Sequence, residues 1–211
     1  MDVEPPQEPI RTVRDFLLHL LTITVGLLIA LALEAAVQYL HHRNLVHDAQ
    51  RNLHQEIAAN RAQYETNARW VQENREQLEH DSQQLRAMRS GKQSTPANLS
   101  WDWHWNSFSG VTWRTAHDSG AVSYMDPKRI TSYSWIYLQQ DYINSTALGI
   151  VGEETKAGAG LEAAADPANL SPAEIQALLR QTSEINLSLA ALQITMKSLQ
   201  DMYEQELQPR R

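Results

Sequence analysis

From Phe16 through Leu33 the chain reads FLLHLLTITVGLLIALAL, eighteen residues without a formal charge at neutral pH. A helix needs about 20 mostly apolar residues to cross a bilayer, so the run, extended to Leu40, has the length of a membrane anchor. Two other readings compete. Ala30-Leu31-Ala32 fits the small-x-small pattern of a signal-peptide cleavage site, and a buried core helix is equally apolar. The anchor is the better fit. The run is longer than a usual signal core, and no Gly or Pro interrupts the helical pattern between Ala30 and Gly91.

Positions within the anchor have simple physical readings. Glu34 lies eighteen residues past Phe16, which at about 1.5 Å per residue is about 27 Å along a helix axis. That is near the far edge of a hydrocarbon layer about 30 Å thick, where a carboxylate reaches headgroups. Gly26 and Ala30 form a small-xxx-small pair, as do Ala32 and Ala36, and such pairs let membrane helices approach closely. Gly26, Ala30 and Glu34 are therefore the candidate membrane helix contacts. Arg11 and Arg14 precede the run and Arg43 and Arg51 follow it. The tighter first pair points to an N-terminus held inside and a following domain exported. The expected place is the bacterial inner membrane, single-pass, with a periplasmic domain.

Charge and cysteine narrow the function classes. Net charge is −7, and residues 41–90 carry seven Arg against seven Asp and Glu. A duplex-binding protein shows a basic stripe that displaces counterions, and none is visible, so nucleic acid is not an expected partner. Cysteine is absent, which excludes disulfides and thiolate metal sites.

Residues 1–15 are Pro-rich, without apolar periodicity, and read as a disordered tail. The helical domain then spans 41–211. Residues 41–89 continue the anchor helix. Ile57, Tyr64, Val71, Leu78 and Leu85 recur every seven residues, while Leu53, Asn60, Asn67, Asn74, Asp81 and Met88 occupy the companion position. A coiled coil wants both positions apolar. Four polar companions in a row point to docking on helices of the same chain rather than to a long autonomous dimer. His41, His42, His47 and His54 lack the three- or four-residue spacing of a helical metal site.

Ser, Gly, Pro and Thr in 90–100 mark a loop. Trp101, Trp103 and Trp105 then alternate with polar residues, the pattern of a short strand or extended segment. Trp113 and Tyr124 continue the densest aromatic region of the chain. These five residues form the candidate partner or ligand surface, because Trp and Tyr offer large contact area with a polar handle. The competing reading, that these rings plug the open end of a helical bundle, is the favoured one, since aromatic residues at helical spacing are more often core. A short helix over 111–119 follows. Asp126-Pro127 caps a longer one over 127–157, which fades near Gly158 and Gly160. Ser171-Pro172-Ala173-Glu174 is a capping box opening a helix over 172–207. Its seam runs Ile175, Leu178, Thr182, Ile185, Leu189, Leu192, Met196, Leu199 and Tyr203. The fold class is all-α: an N-terminal transmembrane helix continuous with a long helix, packed in an antiparallel bundle with a short aromatic cap.

His117-Asp118-Ser119 sets three catalytic residue types side by side, but neighbours in sequence point apart and no nucleophile elbow surrounds Ser119. No phosphate loop, dinucleotide fingerprint or zinc-protease motif occurs. Neither an enzymatic activity nor a cofactor is expected.

The run Val25 to Glu34 (VGLLIALALE), then His41-His42-Arg43 and a long polar helix, resembles a group of uncharacterised bacterial single-pass membrane proteins. They pair an N-terminal G-(I/L)-L-I-A-L type segment with a helical domain. The resemblance covers residues 14–60 and implies an anchor, membrane lipid as a partner and a helical domain. It brings no functional residue. The expected function is that of a scaffold or accessory subunit working through a protein partner or a homo-oligomer. The alternative is a sensor holding a small molecule among the aromatic residues of 101–142.

Overall fold

The computed structural model describes residues 12–92, 99, 104–162 and 170–208. They form α1 (Val13–Arg89), α2 (Val111–Asp118), a 3-10 turn (Ala121–Tyr124), α3 (Pro127–Glu162) and α4 (Pro172–Leu207). No strand occurs among the described residues. The chain divides into two compact units, Met1–Asp48 and Ala49–Arg211, and α1 runs through the boundary without a break.

In the first unit α1 begins at Val13, three residues inside the segment read as tail. The reason is local. Thr12 Oγ1 accepts the Asp15 N–H at 3.2 Å and donates to Asp15 Oδ2 at 2.6 Å. This is a capping pair of the kind that satisfies a free N–H of a first turn. The rest of the tail, residues 1–11, lies outside the described residues. The helix is long and apolar enough to cross a membrane, and none of its most apolar stretch is buried by protein.

The second unit is a bundle of α1 (from Ala49), α3 and α4. Contacts fix the directions. Tyr64 meets Gln200, Arg75 meets Asn186 and Gln193, and Arg89 meets Gln176, so α1 and α4 run antiparallel. Arg129 meets Glu206 and Gln139 meets Thr195, so α3 and α4 do too. The seven-residue seam of α1 is buried from Ile57 to Leu85, and the α4 seam is buried from Ile175 to Tyr203.

Start signals hold where the sequence places them. Asp126 Oδ1 accepts the Lys128 N–H at 2.8 Å at the head of α3. At the head of α4, Ser171 and Glu174 complete the reciprocal capping box. The end of α3 differs from expectation, since the helix passes both glycines and stops at Glu162. Packing outweighs the roughly 1 kcal/mol that each glycine costs a helix. Ala157 is fully buried, and Leu161 packs on the cluster of Leu85, Leu170, Ile175, Leu178 and Leu179.

Candidate functional site: an asparagine-clamped aromatic segment

The polar companions on α1 have a specific use. Asn60 Nδ2 donates to the Ser109 carbonyl at 2.7 Å, and the Ser109 N–H donates back to Asn60 Oδ1 at 2.9 Å. Asn67 pairs in the same way with Asn106, at 2.8 and 3.4 Å. From α3, Asn144 pairs with Phe108, at 3.0 Å in both directions. A carboxamide carries one donor side and one acceptor side, so each can close a ring with both backbone groups of a single residue. Residues 104–110 thus lie against α1 and α3 with their main chain paired as a neighbouring strand would pair it. The alternating pattern had suggested a strand, and three side chains stand in for the missing partner.

Glu56 completes the clamp. Its carboxylate accepts from Ser109 Oγ at 2.6 Å, from the Thr112 N–H at 3.1 Å and from the Tyr137 hydroxyl at 2.8 Å. Gly110 gives α2 no side-chain cap, so a carboxylate from another helix satisfies the first turn and sits favourably at the positive end of its dipole. Burial pushes the Tyr137 phenol well above its ordinary value, and the Glu56 charge adds to the shift. The phenol therefore stays protonated and donating through the neutral range. Tyr203 is raised by burial as well, opposed by the hydrogen bond from Gln140 Nε2 at 2.9 Å.

Rings fill the space under the clamp. Phe108 is buried, edge-on to Tyr203 with centroids 6.3 Å apart and to Trp105 at 5.7 Å. Trp113 stacks on Tyr137, with centroids 5.5 Å apart and planes 3° from parallel. Of the five residues of the candidate surface, Trp105 and Trp113 are half-buried and engaged in this packing. Trp105 Nε1 donates to Asn144 Oδ1 at 3.3 Å. Tyr124 stays exposed in the 3-10 turn. Trp101 and Trp103 lie outside the described residues. In the first unit, Gly26, Ala30 and Glu34 are all exposed, and Glu34 accepts a hydrogen bond from Gln38 at 3.2 Å.

His117, Asp118 and Ser119 do not assemble a catalytic group. The His117 ring lies edge-on to Trp113 at 4.5 Å, and the Ser119 hydroxyl donates to the Ala116 carbonyl. No cluster of three metal-ligating side chains occurs among the described residues. An open groove of about 800 Å³ runs between α3 and α4, lined by Asp126, Arg129, Trp135, Met202 and Glu206 among others. Arg129 Nη1 bonds Glu206 Oε1 at 2.7 Å, and both line the groove with the exposed Trp135.

Sequence reasoning missed Glu56 and Asn144. Glu56 sits among other charged residues of α1. Asn144-Ser145-Thr146 matches a glycosylation acceptor pattern, which is explained by chance within a helix. The partners of both residues lie tens of positions away.

The fold and this site define a class, an all-helical bundle continuous with an apolar N-terminal helix. Comparison with family models, curated proteins and solved structures finds no match to the chain.

Proposed function

We propose that the chain is a single-pass protein of the bacterial inner membrane whose folded domain, on the periplasmic side, works through protein contacts as a scaffold or accessory subunit. The observation that carries this reading is the exposure of every residue from Phe16 to Leu40, over an uncharged core of helix long enough to span lipid. Leu, Ile and Val left exposed over that length cost heavily in water, at about 25 cal/mol for each Å² of apolar surface, and lipid removes the cost. The clamp spends Asn60, Asn67, Asn144 and Glu56 on holding the aromatic segment in place, and the folded unit keeps large apolar side chains exposed on α3 and α4. These features suit a docking domain. Purification of the full chain from membranes in mild detergent tests this, with identification of whatever co-elutes. A reproducible protein companion, another copy included, is expected. A lone monomer under every mild detergent contradicts it.

The groove beside Trp135 favours a second reading, a small-molecule sensor. Saturable change in Trp fluorescence on titration with a metabolite, lost in Trp135→Phe, would carry that reading in place of the first.

A further inference from the structure

Leu187 and Ile194 are 74 % and 75 % exposed, more than any other large hydrophobic of the second unit among the described residues. Both lie on α4, seven residues apart and away from the seam that packs on α1 and α3. Arg180 lies seven residues before Leu187, and Asp201 seven after Ile194. The four therefore share one outward stripe.

The stripe has an internal symmetry. About a point between Ala190 and Ala191, Leu187 mirrors Ile194, Arg180 mirrors Asp201, and Glu184 mirrors Lys197. A two-fold axis through that point would lay α4 antiparallel on α4 of a second copy. Leu187 then meets Ile194 of the other copy, Arg180 meets Asp201, and Glu184 meets Lys197, each twice. The two alanines at the axis let helix axes approach to about 8 Å, the close end of the usual range. A self-complementary patch of this kind is what a two-fold dimer requires. A parallel pairing would instead set Arg180 on Arg180 and Asp201 on Asp201. Arg180 has a loose contact with Glu184 of its own helix at 3.8 Å, whereas Lys197 and Asp201 have no ion-pair partner among the described residues.

We infer that the outward face of α4 is a homodimer interface, in which a second copy of this chain docks antiparallel through Leu187, Ile194 and two reciprocal charge pairs. The inference deepens the protein-contact reading by naming the partner, and it rests on the folded unit alone, independent of the anchor. The absence of cysteine makes the test clean. Full-length Leu187→Cys and Ile194→Cys chains, carrying different tags, are co-expressed, purified in mild detergent and oxidised. The disulfide-linked dimer is expected between the two variants, with each variant alone giving about tenfold less, because like positions lie away from the axis. Arg180→Asp should cut the mixed yield about fivefold, and adding Asp201→Arg in the same chain should restore it. These four positions are exposed, so folding is preserved, and a far-ultraviolet spectrum confirms it. Equal crosslinking of each variant alone overturns the antiparallel pairing. A monomer in every sample overturns the dimer. Crosslinking only to a protein of another mass overturns this inference while leaving the protein-contact reading standing.

Discussion

Phe108→Ala is expected to destabilise the folded unit by about 3–5 kcal/mol, the usual cost of emptying a buried aromatic position. The ring is 4 % exposed and touches Trp105 and Tyr203, two rings from different parts of the chain. Its removal leaves a cavity under the one residue of segment 104–110 whose side chain is buried. The clamp cannot close over that cavity, because Asn144 fixes both backbone groups of residue 108. A urea melt of the full chain in detergent, followed by Trp fluorescence, reads the effect as a lowered midpoint with an unchanged slope. A shift under 1 kcal/mol would mean that the segment is not part of the core.

Asn67 gives the second large effect and a sharper diagnostic. Asn67→Ala removes both hydrogen bonds to Asn106 at a fully buried position. Losing the bonds and stranding the backbone groups together cost about 2–4 kcal/mol. Asn67→Asp keeps the shape but, when ionised, offers only acceptors. The carboxylate still receives the Asn106 N–H, but it turns an oxygen on the Asn106 carbonyl where a donor stood. At pH 7 it should therefore cost at least as much as alanine. Folding favours the protonated form, so the folded-state pKa of the introduced acid is raised. Relative to the native chain, its penalty should shrink as pH falls toward about 4, where the acid regains a donor in both states. Thermal melts of the two variants at pH 7 and pH 4.5 separate the cases. Equal penalties at both pH values would sink the bidentate pairing.

Much of this fold could be read before any coordinates. The seam of Ile57, Tyr64, Val71, Leu78 and Leu85 obeys one period throughout, and all five are buried. The capping box at Ser171 sets the start of α4 by local hydrogen bonds alone. Such features depend on neighbours a turn away, and those neighbours are visible in the sequence. The clamp does not depend on neighbours. Asn60 and Asn67 stood out as polar intrusions in the α1 seam, and docking within the chain was the favoured explanation. Their partners, however, lie 49 and 39 residues on. Nothing in the local pattern distinguishes an asparagine that pairs with a distant backbone from one that faces water. For the same reason the sequence favoured a bundle plug for the aromatic region without showing which rings serve in it. Ring density signals contact area, and the packing of α2 onto Tyr137 decides which rings are spent inside. Tertiary burial likewise carried α3 past Gly158 and Gly160, where propensity alone would have stopped it.

The chain as a whole is read from its apolar N-terminal rod, and one fractionation addresses that reading directly. Membranes from cells producing the full chain with a C-terminal tag are washed with alkaline carbonate, and pellet and supernatant are probed for the tag. An embedded rod keeps the intact polypeptide, 24.0 kDa before the tag, in the pellet until detergent is added. A shortened tagged product in the supernatant, with its N-terminus near Leu33, would contradict the account.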